Sequence, residues 1–250
     1  AKSTNPAFAA TGGGTTKILG ASGTVQNSTL DFNSAGVVDT TGVILDVAAD
    51  MSVTTDELVH VSGYHIHAGK TLTIDSDKIH TVAHAAQTVT GDGSMVLNLG
   101  TNAFDLSNVA GTVSTTGAVT SNTTLNTGAS LGTMVVTVAN SQTLGLTAAQ
   151  ATNSTINGAG GVTVNALDAT AAANLSGVTA SGTKTANVAQ NVTFTGDLNG
   201  FAVVLANGTT LTSTAAQLTG LTITDGHNTA NVAVTALDAT AAADLSGVNV

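Results

Sequence analysis

The feature that most constrains this chain is that it repeats itself. ALDATAAADLSGV at 236–248 restates ALDATAAANLSGV at 166–178, with Asp244 in place of Asn174, and VANSQTLGLTAAQ at 138–150 parallels LANGTTLTSTAAQ at 205–217. The second half therefore reads as two units of about seventy residues, and HAGKTLTIDSDKI at 67–79 followed by FDLSNV at 104–109 reads as an eroded third. A shorter pattern runs inside each unit: an apolar residue, a small polar residue, Gly, then a strand. It occurs at Leu175, Leu198, Leu218 and Leu245, spaced 23, 20 and 27 residues, with looser versions at Leu58, Ile79, Leu106, Leu131 and Ala151.

A period of this length means that one repeat cannot bury its own apolar face and must stack on the next. LTIT and VTFT alternate apolar and polar residues as half-buried strands do. STAAQLTG and DATAAADLSG read as short Ala-rich helical turns, with Ser, Thr or Asp238 capping the start and Gly, as at Gly247, accepting the left-handed conformation that ends them. The expected fold is mainly β: a β-solenoid of nine or ten coils of 20–27 residues. At about 4.8 Å per strand, ten coils would span roughly 50 Å. Composition agrees, since apolar residues are 42% of the chain while aromatics are 2%, and small side chains suit a narrow coil better than a sphere. The expected organisation is a partly flexible arm or cap at 1–30, then a continuous solenoid over 31–250. Its related units lie near 67–137, 138–204 and 205–250, the last incomplete. The chain starts AKSTNPAF without Met and stops inside a repeat at LSGVNV, which reads as a piece cut from, or processed out of, a longer polypeptide.

The formal charge is −10, with five Lys and no Arg. Nucleic-acid binding needs clustered cations, so it is not expected. Without a run of 18 apolar residues, membrane insertion by a helix is not expected either. Absence of Cys removes disulfides and thiolate metal sites. A polysaccharide-cleaving solenoid would need convergent acids and cations; with Glu57 the one Glu, no Arg and no Ser–His–acid elbow, the chain reads as no enzyme.

Five of six His lie between 60 and 84. His65 and His67 point to one side of a strand, and His80 and His84 share a face if helical. With Asp75 and Asp77 nearby, these six residues are the candidate metal ligands for Zn²⁺ or another divalent ion. The alternative is a solvated polar face. GDGS at 91–94 and TDG at 224–226 are turn signals, not the Gly- and Asp-rich nonapeptide that binds Ca²⁺ in RTX proteins. Thr-x-Thr occurs at 71–73, 88–90, 193–195, 210–212 and 222–224. Stacked flat, such pairs would order water as in ice-binding β-helices.

The TLTxTAAQLxGLTI and LDATAAADLSGV units resemble the repeat segments of large bacterial surface proteins, of the surface-layer and giant-adhesin type, over roughly 66–250. The resemblance implies an extracellular, cell-surface location and a structural role: a protomer that polymerises with copies of itself into a filament or lattice. It equally admits an adhesin stalk or a module that binds cell-surface glycan, and, as many members depend on it, Ca²⁺.

Overall fold

The computed structural model describes residues 16–19, 23–25, 43–53, 62–79, 87–104, 106–226, 229–237 and 242–250. They are mainly strand, wound as stacked parallel coils of a β-solenoid of about nine turns. Two compact units share them: Ala1–Asn98 with Phe104–Thr116, and Leu99–Ala103 with Gly117–Val250.

In the first unit, one sheet stacks Thr16–Leu19, Val43–Val47, Gly63–Ile66 and Thr88–Gly91 in parallel. A second stacks Gly23–Val25, Met51–Val53, Thr71–Asp75 and Ser94–Asn98. Each coil gives one strand to each sheet, and alternate residues turn inward. The inward rows Leu45, Tyr64, Val89 and Met51, Leu72, Met95 are in register and buried. Tyr64 is the one Tyr of the chain. Burial pushes its phenol above the ordinary range, and a hydrogen bond with Gln87 partly offsets that.

The second unit has three sheets. The first pairs Val135–Val138 with Thr155–Gly158, and Ile156 bridges onward to Val178. The second stacks Thr123–Thr124, Thr143–Thr147, Gly161–Asn165, Lys184–Val188, Ala202–Leu205, Ile223–Asp225 and Val248–Asn249. The third stacks Val192–Thr193, Thr210–Thr214 and Asn231–Thr235. The row Val164, Ala186, Val203, Ile223 is fully buried. Register steps run from 17 residues, Thr185 to Ala202, to 28, Gly23 to Met51. That range is wider than 20–27 because pairing fixes only the strands, and the corners absorb the difference.

The Leu-x-Gly ladder is a four-residue turn. The amide of its last residue donates to the carbonyl of its first, at 106–109 in the first unit and at 131–134, 151–154, 175–178, 198–201, 218–221 and 245–248 in the second, with N···O of 2.9–3.2 Å. Leu131, Ala151, Leu175, Leu198 and Leu218 plug the interior. A second turn joins neighbouring strands in the same way at 67–70, 139–142 and 206–209. Its third residue has positive φ at Gly69, Ser141 and Gly208.

Short helical turns form at both TAAQ stretches, each a single turn long. Helix α1 (Ala148–Ala151) and helix α2 (Ala215–Leu218) each have a capping box, in which Thr147 pairs with Gln150 and Thr214 with Gln217. The first DATAAANLSG stretch instead holds a single 3-10 turn, Leu167–Ala169, entered through left-handed Ala166. Asp168 caps nothing there; it accepts from the Ala189 amide 21 residues on. The Asp238 position lies outside the described residues. Gly220 does end α2 with φ +73, but Gly177 and Gly247 have ordinary φ. They are Gly because an added Cβ would fall 2.3 Å from the Ser154 carbonyl oxygen and 2.3 Å from the Leu221 carbonyl oxygen of the preceding coil.

Candidate functional site

Coil stacking makes the one three-residue group of metal-ligating side chains found among the described residues: Asp46, His65 and His67. Strand Val43–Val47 carries Asp46, and the next coil lays strand Gly63–Ile66 beside it so that Asp46 and His65 are register partners. The strand ends at Ile66, and the His67 amide donates to the Val47 carbonyl. This folds the His67 ring back over Asp46, with Nε2 and Oδ1 2.9 Å apart. The two imidazoles meet edge to face, centroids 5.3 Å apart, and the ligand atoms of all three residues lie within 4.8 Å of one another.

The surroundings set the chemistry. Asp46 is 6% exposed although it lies on the outward side of its strand, between inward-facing Leu45 and Val47. Its side chain is 9% exposed, whereas the His67 side chain is 46% exposed. Thr90, the register partner of His65 in the following coil, places Oγ1 3.2 Å from His65 Nδ1. That hydroxyl also lies 3.3 Å from the Tyr64 carbonyl oxygen, to which it donates; assigning its proton there makes it an acceptor toward the imidazole and assigns the His65 proton to Nδ1.

Of the residues expected from sequence, His65 and His67 do come together. His80 and His84 lie outside the described residues. Asp75 and Asp77 are not in the group: Asp75 sits on the other sheet, accepting from Asn98 Nδ2 at 2.8 Å, and Asp77 pairs with Lys78 at 3.2 Å. The acid that sequence reading missed is Asp46, 19 residues before His65. The coil step narrows the candidates to outward residues about one period upstream, but its variable length does not single out Asp46.

The Thr-x-Thr pairs are divided among the sheets. In the first unit 71–73 and 88–90 belong to separate sheets, and the neighbours of Thr71 and Thr73 after one coil are Ser94 and Val96. In the second unit Thr193 stacks on Thr212, but the next coil sets Asn231 and Ala233 beside Thr210 and Thr212, and Thr224 is on another sheet. No flat Thr array forms among these strands. Among the described residues, no helix is long and apolar enough to cross a membrane.

Fold and repeat together define a β-solenoid repeat protein. No protein-family model matches the chain, and comparisons with curated proteins and with solved structures give no match.

Proposed function

We propose that this chain is a non-enzymatic structural protein of the bacterial cell surface, a solenoid protomer that assembles edge to edge with copies of itself into a filament or lattice. The observation that supports this reading is the parallel ladder that runs from coil to coil, in which Thr210–Thr214 pairs with Asn231–Thr235 and Ile223–Asp225 with Val248–Asn249. Val232 and Val234 continue the row of Leu211 and Ser213 and are partly exposed, and Leu237 is 54% exposed. A parallel ladder extends by the same main-chain pairing whether the next strand belongs to the same polypeptide or to a neighbouring copy.

The test is sedimentation velocity across a hundredfold concentration range, with electron microscopy of the same samples. The expected result is concentration-dependent filaments or sheets, shortened or abolished by Val234→Lys, which sets a charge in the edge row. A single sedimenting species at every concentration, unchanged by Val234→Lys, would refute the reading.

A further inference from the structure

We infer that Asp46, His65 and His67 form a binding site for one divalent first-row transition ion of the Zn²⁺ class. The inference is independent of the structural role proposed above, and it rests on three features of the site.

The first feature is donor type. Two imidazoles and one carboxylate suit Zn²⁺ and its neighbours, whereas Ca²⁺ takes six to eight oxygens; a site with one oxygen-bearing side chain selects against it. The second is spacing. Bonds of about 2.0–2.2 Å at a tetrahedral angle put ligand atoms roughly 3.3 Å apart. The 2.9 Å between His67 Nε2 and Asp46 Oδ1 and the 4.8 Å bound for the set bracket that value, so the ion needs only small side-chain rotations. The third is preparation. Asp46 is buried on its strand, and Thr90 Oγ1 lies 3.2 Å from His65 Nδ1, the kind of partner on one ring nitrogen that orients an imidazole so that the other can meet a metal. His67, the exposed member, is the route of entry.

Three protein ligands leave a fourth position of a tetrahedral ion open. Water or a donor from another molecule would complete it, so the site could also serve as a point of attachment.

The experiment is titration of the untagged chain with Zn²⁺ alone by calorimetry, and with Co²⁺ alone by visible absorption. The expected result is one ion per chain and a tetrahedral Co²⁺ band. His65→Gln, His67→Gln and Asp46→Asn should each weaken binding at least tenfold, while Asp75→Asn and Asp77→Asn leave it unchanged. Thr90→Val should weaken binding about tenfold, and Thr90→Ser, which keeps the hydroxyl, should restore it. Because His67 is exposed, His67→Gln tests the site even where Asp46→Asn perturbs folding. Binding that survives both His substitutions, binding lost on removal of Asp75 or Asp77, or no stoichiometric binding at all would overturn the inference.

Discussion

Gly177→Ala is a one-methyl test of how tightly the coils of the second unit are stacked. The Cβ would sit 2.3 Å from the Ser154 carbonyl oxygen and 3.2 Å from its carbon, both main-chain atoms that no side-chain rotation can move. An ordinary C···O contact needs about 3.3–3.6 Å, so the two coils would have to part locally by about 1 Å. Two hydrogen bonds hold them at that point: Ile156 amide to Gly177 carbonyl at 3.0 Å, and Thr179 amide to Ile156 carbonyl at 2.7 Å. Both would stretch past the bonding range. Two main-chain bonds at about 0.5–1.5 kcal/mol each, together with the overpacking of a buried corner, give a loss of about 2–4 kcal/mol. For a chain of this size that is a fall of roughly 5–15 °C in melting midpoint.

Gly226→Ala is the matched control. A Cβ there meets nothing within 4 Å and its φ is ordinary, so Ala should change stability by less than about 0.5 kcal/mol, in the stabilising direction if at all. The assay is thermal and urea unfolding followed by far-ultraviolet circular dichroism. Equal midpoints for Gly177→Ala and Gly226→Ala would show that coil spacing at the 175–178 corner is not set by main-chain contact, and the explanation of that Gly would fall.

Gln217→Ala should cost about 1–2 kcal/mol in the same assay, because it removes the capping box with Thr214 and leaves the Gly196 carbonyl, now bonded to Gln217 Nε2 at 2.7 Å, without that donor. Asn174→Asp should cost about 1 kcal/mol, since Asn174 Nδ2 donates to Asn153 Oδ1 at 3.0 Å and a carboxylate would face that oxygen with no proton to give. The reverse change, Asp244→Asn, should lower the midpoint slightly at neutral pH and leave it unaltered in acid. The Ser246 hydroxyl and then its amide hold the Asp244 carboxyl below its ordinary range. A lowered folded-state value stabilises above the unfolded-state pKa and fades as pH falls through the folded one. Asp244→Asn should therefore flatten the acid limb of stability against pH, and an unchanged acid limb would contradict this account.

Among the described residues, corners of the Leu-x-Gly kind were readable because the same few letters mark them; the Leu58 position lies outside the described residues. Leu175, Leu198, Leu218 and Leu245 open turns of one geometry, and even the degenerate Ala151 does so. What could not be read is lateral register. Steps between 17 and 28 residues mean that no fixed offset tells which outward residue lies beside which, so Asp46 could not be assigned to His65 and Asp75 appeared a better partner than it is. The Ala-rich stretches misled for a related reason. TAAQ helices form where Gln can reach back to the capping Thr, while in DATAAA the acid has a better acceptor role toward the next coil, through Ala189.

Register also changes what the long repeat means. Three coil steps up from Thr143 in the second sheet pass Gly161 and arrive just before Ala202, yet the residue that copies Thr143 is Thr210, which lies in the third sheet. The block is thus not three whole coils but three coils and one further side. Its first copy places Val135–Val138 and Thr143–Thr147 on the first and second sheets, and its second copy places Ala202–Leu205 and Thr210–Thr214 on the second and third. Helices α1 and α2 consequently follow different sheets, although their sequences match. The offset keeps the two copies of a side chain from stacking along one face, as Thr143 and Thr210 show. Main-chain pairing is indifferent to it, because every sheet offers the same parallel ladder whichever text it carries. A block that fits successive sides of the coil is therefore suited to stacking as such, and this is the property on which the proposed assembly through strand edges draws.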